Sequence, residues 1–387
     1  MRKWFLLATT VCVFVTATVA PVRAELTLPP DVMHHATVGI NGVYNLDFET
    51  AQENIQEVFA QYPDHPFAHF GNAMIAWSRY EYEFETSDDH QRKVFEQILD
   101  NSITGIKRWI KQHPQDSNGY MGIGALYGLR ALFNMRNRNW ITSYFAGRKA
   151  ISNLERSLQL DPTYYDAYFG LGIYEYFAGT LPSVIKALAK IVAIKGNPAK
   201  GVRYLDVARQ QAHFTADSAK LILIEVQNTR GSKFYNPEKS LEFIHQLRAK
   251  FPKNPLMHYV EIICLYETKN YDEVTAQAHE FLQLIGKDKF YKDIYISRAY
   301  TALGTTQMAL GNFEQAKTLF EEGRTLLAGQ EPSRWGVWNE LRLGQVYDVL
   351  GQREKALAQY KYVLSFKDKW GFDELAKKIG RASCRER

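Results

Sequence analysis

The sequence of 387 residues contains very little cysteine, with Cys12, Cys264 and Cys384 as its only members. The first lies in an apolar N-terminal run and the last in an atypical C-terminal tail, so the body of the chain keeps a single cysteine. One cysteine forms neither an internal disulfide nor a cysteine-rich zinc site. We therefore expect the fold to be held together by side-chain packing.

The chain also has little net charge once its two ends are set apart. Of its 47 basic and 42 acidic residues, six basic residues and one acidic residue lie in segments 1–24 and 379–387. The body between them is therefore balanced in charge. Because a nucleic-acid footprint needs a basic surplus or stripe, the sequence indicates no nucleic-acid partner.

The two ends are atypical for different reasons. A short basic start precedes an apolar run over residues 4–20, and small residues follow at the positions that a signal peptidase reads, ending at Ala24. This pattern predicts a cleavable signal peptide over 1–24 and export to a bacterial periplasm or outer membrane. The alternative is an uncleaved N-terminal anchor, for which the run is short. Residues 379–387 match one reading frame of a sequencing adapter, so we interpret them as a scar.

Motifs of catalysis, metal binding and nucleotide binding are missing from the sequence. It contains no Gly-x-Ser-x-Gly elbow and no His-Glu-x-x-His, and Cys264 stands in an apolar stretch where a buried thiol is inert. The glycines between Gly119 and Gly128 follow a helix stop instead of a strand, which indicates packing positions and not a phosphate loop. We therefore expect no enzymatic activity, no cofactor and no metal.

Two downstream segments repeat a pattern typical of paired helices. In each, a Leu-Gly pair, ending at Gly304 or Gly344, is followed by a Gly-x-x-Glu-x-Ala segment and an aromatic residue. A glycine at a helix crossing allows close approach, while large side chains fill the neighbouring grooves. Gly311 and Gly351 fall between the two helices, where a residue with positive φ ends the first helix.

The same pattern recurs upstream in four longer units. In each unit a small residue precedes a proline by 12 positions, and an apolar anchor follows that proline by seven. The prolines are Pro63, Pro114, Pro162 and Pro252, and the anchors are Phe70, Met121, Phe169 and Tyr259. A loose helical bundle has no reason to keep such a register, so the spacing predicts a repeat array.

On these residues the chain resembles the tetratricopeptide-repeat (TPR) superfamily over nearly the whole of residues 31–370. The resemblance implies an all-α, right-handed α-solenoid of antiparallel helix pairs. It divides the chain into an atypical N-terminal array with long or inserted helices over 25–252 and C-terminal TPR repeats over 253–378. TPR arrays bind extended peptides on the concave face lined by the first helix of each pair, so the resemblance implies a binding scaffold.

The register counted from the anchors, together with the density of Tyr and Trp, predicts which residues bind a partner. Rigid aromatic side chains with a few polar handles suit peptide recognition. The predicted binding residues are His65, Asn72, Trp77, Tyr127, Arg130, Tyr174, Glu175, Arg298, Gln345 and Asp348. The predicted partner is a protein or peptide, and peripheral association with the cell envelope is a further expectation.

Two alternatives rest on other features. The Tyr, Trp and Glu residues that crowd the N-terminal half are compatible with a small-ligand receptor or an enzyme. A closed cavity lined by Glu81, Glu85, Arg130 and Tyr174 would favour that alternative. The other alternative is a structural component of the cell envelope that bridges copies of itself, and the sequence leaves the oligomeric state open.

Overall fold

The structure is a computed structural model that describes residues 28–83, 90–137, 139–180, 196–330, 332–366, 372 and 375–377. The predicted signal peptide, the predicted scar and Glu85 lie outside these residues. Within the described ranges the regular secondary structure is entirely helical, and consecutive helices pack together. The prediction of an all-α solenoid is confirmed.

Sixteen α-helices among the described residues form eight consecutive antiparallel pairs. The first four pairs are α1 (Pro30–Tyr44) with α2 (Phe48–Gln61), α3 (Pro66–Glu83) with α4 (His90–Gln112), α5 (Ser117–Arg136) with α6 (Trp140–Leu160), and α7 (Ala167–Gly179) with α8 (Pro198–Gln211). The last four are α9 (Ala216–Gln227) with α10 (Pro237–Lys250), α11 (Pro255–Glu267) with α12 (Tyr271–Leu284), α13 (Ile296–Ala309) with α14 (Phe313–Leu326), and α15 (Arg334–Val349) with α16 (Arg353–Leu364). A 3-10 turn, Asp293–Tyr295, precedes α13.

The helices of the second and third pairs are longer than those downstream, as the spacing predicts. Helices α4, α5 and α6 have 23, 20 and 21 residues, whereas α13 and α14 have 14 each. At about 3.6 residues per turn, the extra residues add roughly two turns to each of these three helices. The lengthened upstream units therefore contain longer helices.

We call the first helix of each pair helix A and the second helix B. Successive A helices contact each other along most of the array: α1 with α3, α3 with α5, α5 with α7, α7 with α9, α11 with α13, and α13 with α15. These contacts make the row of A helices the inner, concave row.

Asn-Pro dipeptides define three helix starts. Asn197, Asn236 and Asn254 accept a backbone N–H from within the first turn of α8, α10 and α11. The proline that follows each asparagine occupies the first helical position, where its missing N–H costs nothing and its fixed φ suits the helix. The sequence therefore fixes where these helices begin.

Four helix pairs share one turn between helix A and helix B. Gly311 and Gly351 have φ of +81° and +73° in that turn, so the positive φ predicted for both is confirmed. Leu46 and Lys269 occupy the same position in two other pairs, with φ of 58° and 62°. Residues other than glycine disfavour this conformation because their Cβ approaches the backbone too closely. Leu46 and Lys269 therefore lower the stability of these two turns.

The register counted from the upstream anchors is wrong by two residues. A Cβ on Gly170 would lie 2.6 Å from Leu154 of α6, the helix B of the preceding pair. A Cβ on Gly172 would lie 2.9 Å from Leu205 of α8, its own helix B. Gly172 is thus the equivalent of Gly304, whose Cβ would meet Phe320 of its own helix B. The spacing alone did not distinguish two small residues on opposite sides of one helix.

The same shift applies to the other upstream pairs. Gly122 faces Ile106 of α4, whereas Gly124 faces Leu154 of α6, its own helix B. Gly71 likewise faces Ile55 of the preceding helix B. Inner-face positions in the upstream pairs therefore lie two residues further along the chain than the anchors indicate.

The chain curls so that its first two pairs pack against later connections. The ring of Tyr44, at the end of α1, stacks on Phe251 at a centroid distance of 4.6 Å. Phe67 at the start of α3 contacts Phe214 at 5.1 Å. The hydroxyl of Tyr82, near the end of α3, donates to the carbonyl of Phe290 at 3.0 Å. These contacts fix the curvature of the array.

Candidate binding surfaces

Several residues that the sequence assigned to the concave face lie in other environments. His65 is 5% exposed, and its ring lies 5.3 Å from that of Trp109. Its Nδ1 accepts the backbone N–H of Phe67 at 3.1 Å, and burial lowers the pKa of the imidazole. This histidine stabilises the start of α3.

Asn72 and Tyr127 also contact neighbouring helices. The amide of Gln52 in α2 donates to Oδ1 of Asn72 at 3.4 Å. Tyr127 is 7% exposed and lies under the ammonium of Lys149 of α6. The register counted from the anchors predicts both residues on the inner face, and the two-residue shift moves them off it.

Arg130 and Trp77 take part in interactions within and between the second and third pairs. Arg130 forms an ion pair with Asp100 of α4. The ring of Trp77 lies 5.2 Å from that of Phe95, and the guanidinium of Arg136 lies 5.1 Å above it. Glu81 pairs with Arg136 of α5. Tyr174, on α7, lines a cavity with residues of α6 and α8 whose lining does not include Glu81 or Arg130.

Tyr174 and Glu175 lie together in a cavity of about 320 Å³ on the outer side of the array. We call it the outer tyrosine cavity. Helices B α6 and α8 form its walls, and helix A α7 forms its floor. Its lining residues are Ile151, Glu155, Leu158, Gln159, Tyr168, Leu171, Tyr174, Glu175, Lys200 and Tyr204.

The three predicted binding residues of the downstream pairs have different surroundings in the structure. Arg298 and Gln345 lie on the inner face, in α13 and α15. Asp348 accepts hydrogen bonds from Arg353 and Tyr360 at 2.7 Å each, so its carboxylate ties α15 to its own helix B. A binding role for each of the ten residues stays a prediction.

Around Arg298 and Gln345 the structure gathers a surface that sequence reasoning missed. We call it the inner arginine face. It comes from the turn between α9 and α10 and from α11, α13 and α15. Its members are Arg230, Arg298, Arg334 and Arg342, with the aromatic residues Tyr259, Tyr266, Trp335 and Trp338.

Arginine–aromatic stacking organises this surface. The guanidinium of Arg298 lies 4.4 Å from the ring centroid of Tyr295 and 5.3 Å from that of Tyr259. Tyr259 in turn meets the ring of Trp335 edge to face at 4.9 Å. Such contacts hold a planar cation and its neighbours in one geometry. The face is therefore preorganised before any partner arrives.

Arg342 is the most unusual member of the inner arginine face. Its guanidinium lies 5.0 Å from the ring centroid of Trp338 and donates to Oε1 of Gln345 at 2.9 Å. Burial lowers the pKa of Arg342, and the nearby Arg230 lowers it further, yet an arginine stays protonated in proteins. Its Nε is buried without a partner, and no carboxylate of the described residues pairs with it.

A second charged group lies further along the interior. Glu225 of α9 has an exposed side chain, but protein surrounds it on several sides, and the resulting desolvation raises the pKa of its carboxyl. The positive charges of Arg136 and Arg334 act in the opposite direction. Residues from α5, α9 and α15 therefore share one electrostatic environment inside the curled array.

Sequence reasoning missed Tyr259 as an inner-face residue because, in the upstream units, it counted from anchors and glycines instead of turns. Arg342 has no such local signal, since the groups around it, Tyr266, Arg230 and Tyr259, come from other helix pairs. The positive-φ turn residues Lys269, Gly311 and Gly351 align the downstream pairs directly. Counting back from Lys269 places Tyr259 and Tyr266 on the inner side of α11. The Asn-Pro start and the following turn were the available signal.

The structure also describes the surroundings of Cys264, which the sequence predicts to be an inert thiol. Cys264 is fully buried, Asn228 donates to its Sγ at 3.3 Å, and burial raises the pKa of the thiol to about 12. A thiol in that state is a poor nucleophile. Across the described residues no group of three His, Cys, Asp or Glu side chains is placed to hold a metal ion. In the same ranges, no helix has both the length and the apolar character that a bilayer crossing requires.

Comparisons with known proteins agree with this architecture. The tetratricopeptide repeat family matches residues 297–323, which run from α13 through Gly311 into α14. No curated protein matches the chain. Similar solved structures include the APC/C hetero-tetramer Cut9-Hcn1, NprR in complex with its cognate peptide NprX, and a human IFIT1 dimer with PPP-AAAA.

These structural likenesses are remote. The Cut9-Hcn1 match is 11% identical, covers 86% of this chain and 52% of that chain, and has a TM-score of 0.48. The NprR and IFIT1 matches are each 11% identical with TM-scores of 0.47, and cover 94% of this chain and 87% and 88% of theirs. The chain thus spans about half the length of the chain it matches in Cut9-Hcn1. None of the three identifies what this chain binds.

The residue pattern, the eight antiparallel helix pairs and the family match agree, and the chain is a tetratricopeptide-repeat protein. The TPR fold is the fold of protein–protein interaction scaffolds, which are in general not catalytic.

Proposed function

We propose that the protein is an exported TPR scaffold that binds an acidic segment of a protein partner on the inner arginine face. Binding buries partner side chains against a preformed surface and involves no bond chemistry. Arg342, a half-buried cation without a carboxylate partner among the described residues, is the observation that carries the proposal.

The chemistry of the surface favours an anionic segment. A half-buried guanidinium that lacks a counter-ion gains more from a carboxylate than a solvated one does, because the pair forms in a less polar environment. Arginine, tyrosine and tryptophan are also the residue types that dominate binding energy at interfaces. Among the described residues Arg230 already pairs with Glu267 at 2.7 Å and Arg298 is only 5% exposed. The expected contact of the acidic segment is therefore with Arg342.

Selection from short random-sequence peptides tests the specificity. Wild-type protein should enrich peptides that contain Asp or Glu beside aromatic or aliphatic residues, and their affinity should fall with rising salt. Arg342→Ala should bind the same peptides at least about tenfold more weakly. Arg203→Ala removes an exposed arginine from α8 on the outer side and should leave the affinity unchanged. Enrichment without an acidic preference, or equal affinity for Arg342→Ala, would contradict the proposal.

Export rests on the pattern of residues 1–24, outside the described ranges. The apolar run and the small residues before Glu25 support cleavage after Ala24. Expression of the full chain in a Gram-negative bacterium, followed by cell fractionation and mass spectrometry, tests it. The expected product begins at Glu25 and is released with the periplasmic fraction. A chain that keeps Trp4 and stays with the cytoplasm would refute export.

A further inference from the structure

The outer tyrosine cavity lies on the opposite side of the array from the inner arginine face and has a different chemistry. Tyr168, Tyr174 and Tyr204 are half-buried and contribute to its lining. The rings of Tyr168 and Tyr204 meet edge to face at 5.0 Å. At about 320 Å³ the cavity lies at the lower end of the range for small-ligand sites.

One ammonium group already lies in this cavity. Nζ of Lys200 donates to Oε1 of Glu175 at 2.6 Å and lies 5.2 Å from the ring centroid of Tyr204. The other oxygen of Glu175 accepts the backbone N–H of Asn197 at 2.8 Å. Carboxylate and aromatic ring therefore hold a cation together here, as the attraction between cations and π faces predicts.

Glu155 supplies a second carboxylate that has no such cation. It lies on α6, on the wall opposite Lys200, and is exposed to the cavity. No ion pair or hydrogen bond joins its side chain to another described residue. With Glu175 and Lys200 paired, the lining keeps one net negative charge. Arg148 acts on Tyr174 from further along α6 but does not line the cavity.

The remaining walls define what else the ligand has to carry. Ile151, Leu158 and Leu171 give an apolar strip beside the tyrosines. The Glu155 carboxylate would repel an anion. A neutral ligand would gain no charge–charge attraction from it. A cation with a small apolar body satisfies the carboxylate, the rings and the apolar strip at once.

We propose that the outer tyrosine cavity binds an ammonium group beside Glu155, on the faces of Tyr168 and Tyr174, with the attached carbon chain against Ile151 and Leu158. The ammonium group comes either from a small organic ammonium ion or from a lysine side chain of a peptide. This site is independent of the inner arginine face and of the proposed scaffold function.

Calorimetric titration of the full chain with defined probes tests the site. Choline represents a free organic cation, and Nα-acetyl-lysine methylamide represents a peptide lysine. The neutral isostere of choline, 3,3-dimethylbutanol, and glucose are the two uncharged controls. Binding of choline identifies a free-cation site, binding of the lysine amide identifies a peptide site, and either result supports the proposal when both uncharged probes fail to bind.

Two matched variants locate the cation. Glu155→Gln keeps the shape of an exposed side chain, and the affinity for the cation should fall at least about tenfold. Glu57→Gln removes one exposed carboxylate from α2, another helix B, and should change nothing. The proposal is overturned if neither cation binds, if 3,3-dimethylbutanol or glucose binds as well as the cations, or if Glu155→Gln keeps the wild-type affinity. Arg342→Ala should bind the cations normally, which separates this site from the inner face.

Discussion

The side-chain amide of Asn254 donates a hydrogen bond to the backbone carbonyl of Tyr44 at 2.7 Å, across 210 positions of the sequence. Asn254 also accepts the backbone N–H of Leu256 and so caps α11. One side chain therefore both starts a helix of the sixth pair and holds the end of the first helix. The hydroxyl of Tyr44 lies 2.6 Å from that of Ser218, which adds a contact to the fifth pair.

Tyr44 should therefore hold the first helix pair against the rest of the array. Tyr44→Ala removes the ring that stacks on Phe251 and should cost about 2–4 kcal/mol, somewhat below the range of about 3–5 kcal/mol for a fully buried aromatic residue because Tyr44 is half-buried. Hydrogen exchange should show loss of protection in α1 and α2 before the C-terminal helices are affected. Tyr44→Phe keeps the stacking and should cost about 1 kcal/mol. Equal protection of α1 and α2 in Tyr44→Ala would show that other contacts hold the pair.

The corrected register predicts which glycine of α5 tolerates a side chain. A Cβ on Gly124 would lie 2.9 Å from the Leu154 side chain and 3.1 Å from its backbone nitrogen. Gly124→Ala should therefore lower the free energy of unfolding by about 1–3 kcal/mol through overpacking. Gly128 has no atom near its Cβ position, so Gly128→Ala should raise stability by about 1 kcal/mol through helix propensity. Urea denaturation measures both.

Gly122→Ala separates the two registers. Its Cβ would meet the end of the Ile106 side chain at 3.0 Å, and a flexible side chain adjusts more easily than a backbone. The corrected register therefore predicts a smaller loss than for Gly124→Ala. A larger loss of unfolding free energy in Gly122→Ala than in Gly124→Ala would instead support the register counted from the anchors.

The two non-glycine turns should respond in opposite directions to glycine. Lys269 is exposed with φ of 62°, so Lys269→Gly relieves the left-handed conformation and should raise stability by about 0.5–1 kcal/mol. Leu46 has φ of 58° but is 9% exposed and packs near Tyr259 and Tyr82. Leu46→Gly should lower stability, because lost burial of about 2 kcal/mol exceeds the relief. Thermal unfolding of both variants checks the signs, and two changes of the same sign would contradict this account.

Glu340 should make stability depend on pH. Burial raises the pKa of its carboxyl to about 7, although Arg324 partly opposes the shift. Because this value lies above the ordinary 4.5, the folded state binds more protons than the unfolded state between the two. Stability should fall as the pH rises from about 5 to 7, by on the order of 2 kcal/mol, and then level off.

Glu340→Gln isolates that contribution. The variant keeps the side-chain shape but has no proton to lose in this window, so the difference in unfolding free energy from wild type should grow between pH 5 and pH 7. Urea denaturation at several pH values measures the difference. A difference that stays constant across the window would show that Glu340 does not titrate as described.

Periodicity was sufficient to predict the helix pairs, because small residues recur at the helix crossings and four pairs have a turn residue with positive φ, as at Gly311 and Gly351. It was insufficient for side-chain direction upstream, where Gly170 and Gly172 both satisfy the pattern on opposite sides of α7. Contacts such as that of Asn254 with Tyr44 depend on the curvature of the whole array, which no local pattern encodes. The residues of the inner arginine face lie on α11, α13, α15 and the turn after α9, and only the folded array brings them together.

Site-specific photo-cross-linking tests the proposed inner face most directly. A p-benzoylphenylalanine in place of Trp338 lies beside Arg342 on the inner side of α15, whereas the same group in place of Leu357 lies exposed on α16, a helix B. With the strongest acidic peptide from the selection, the Trp338 variant should form a cross-link that Arg342→Ala abolishes, and the Leu357 variant should form none. Cross-linking at Leu357 alone, or at Trp338 regardless of Arg342, would contradict binding on the inner arginine face.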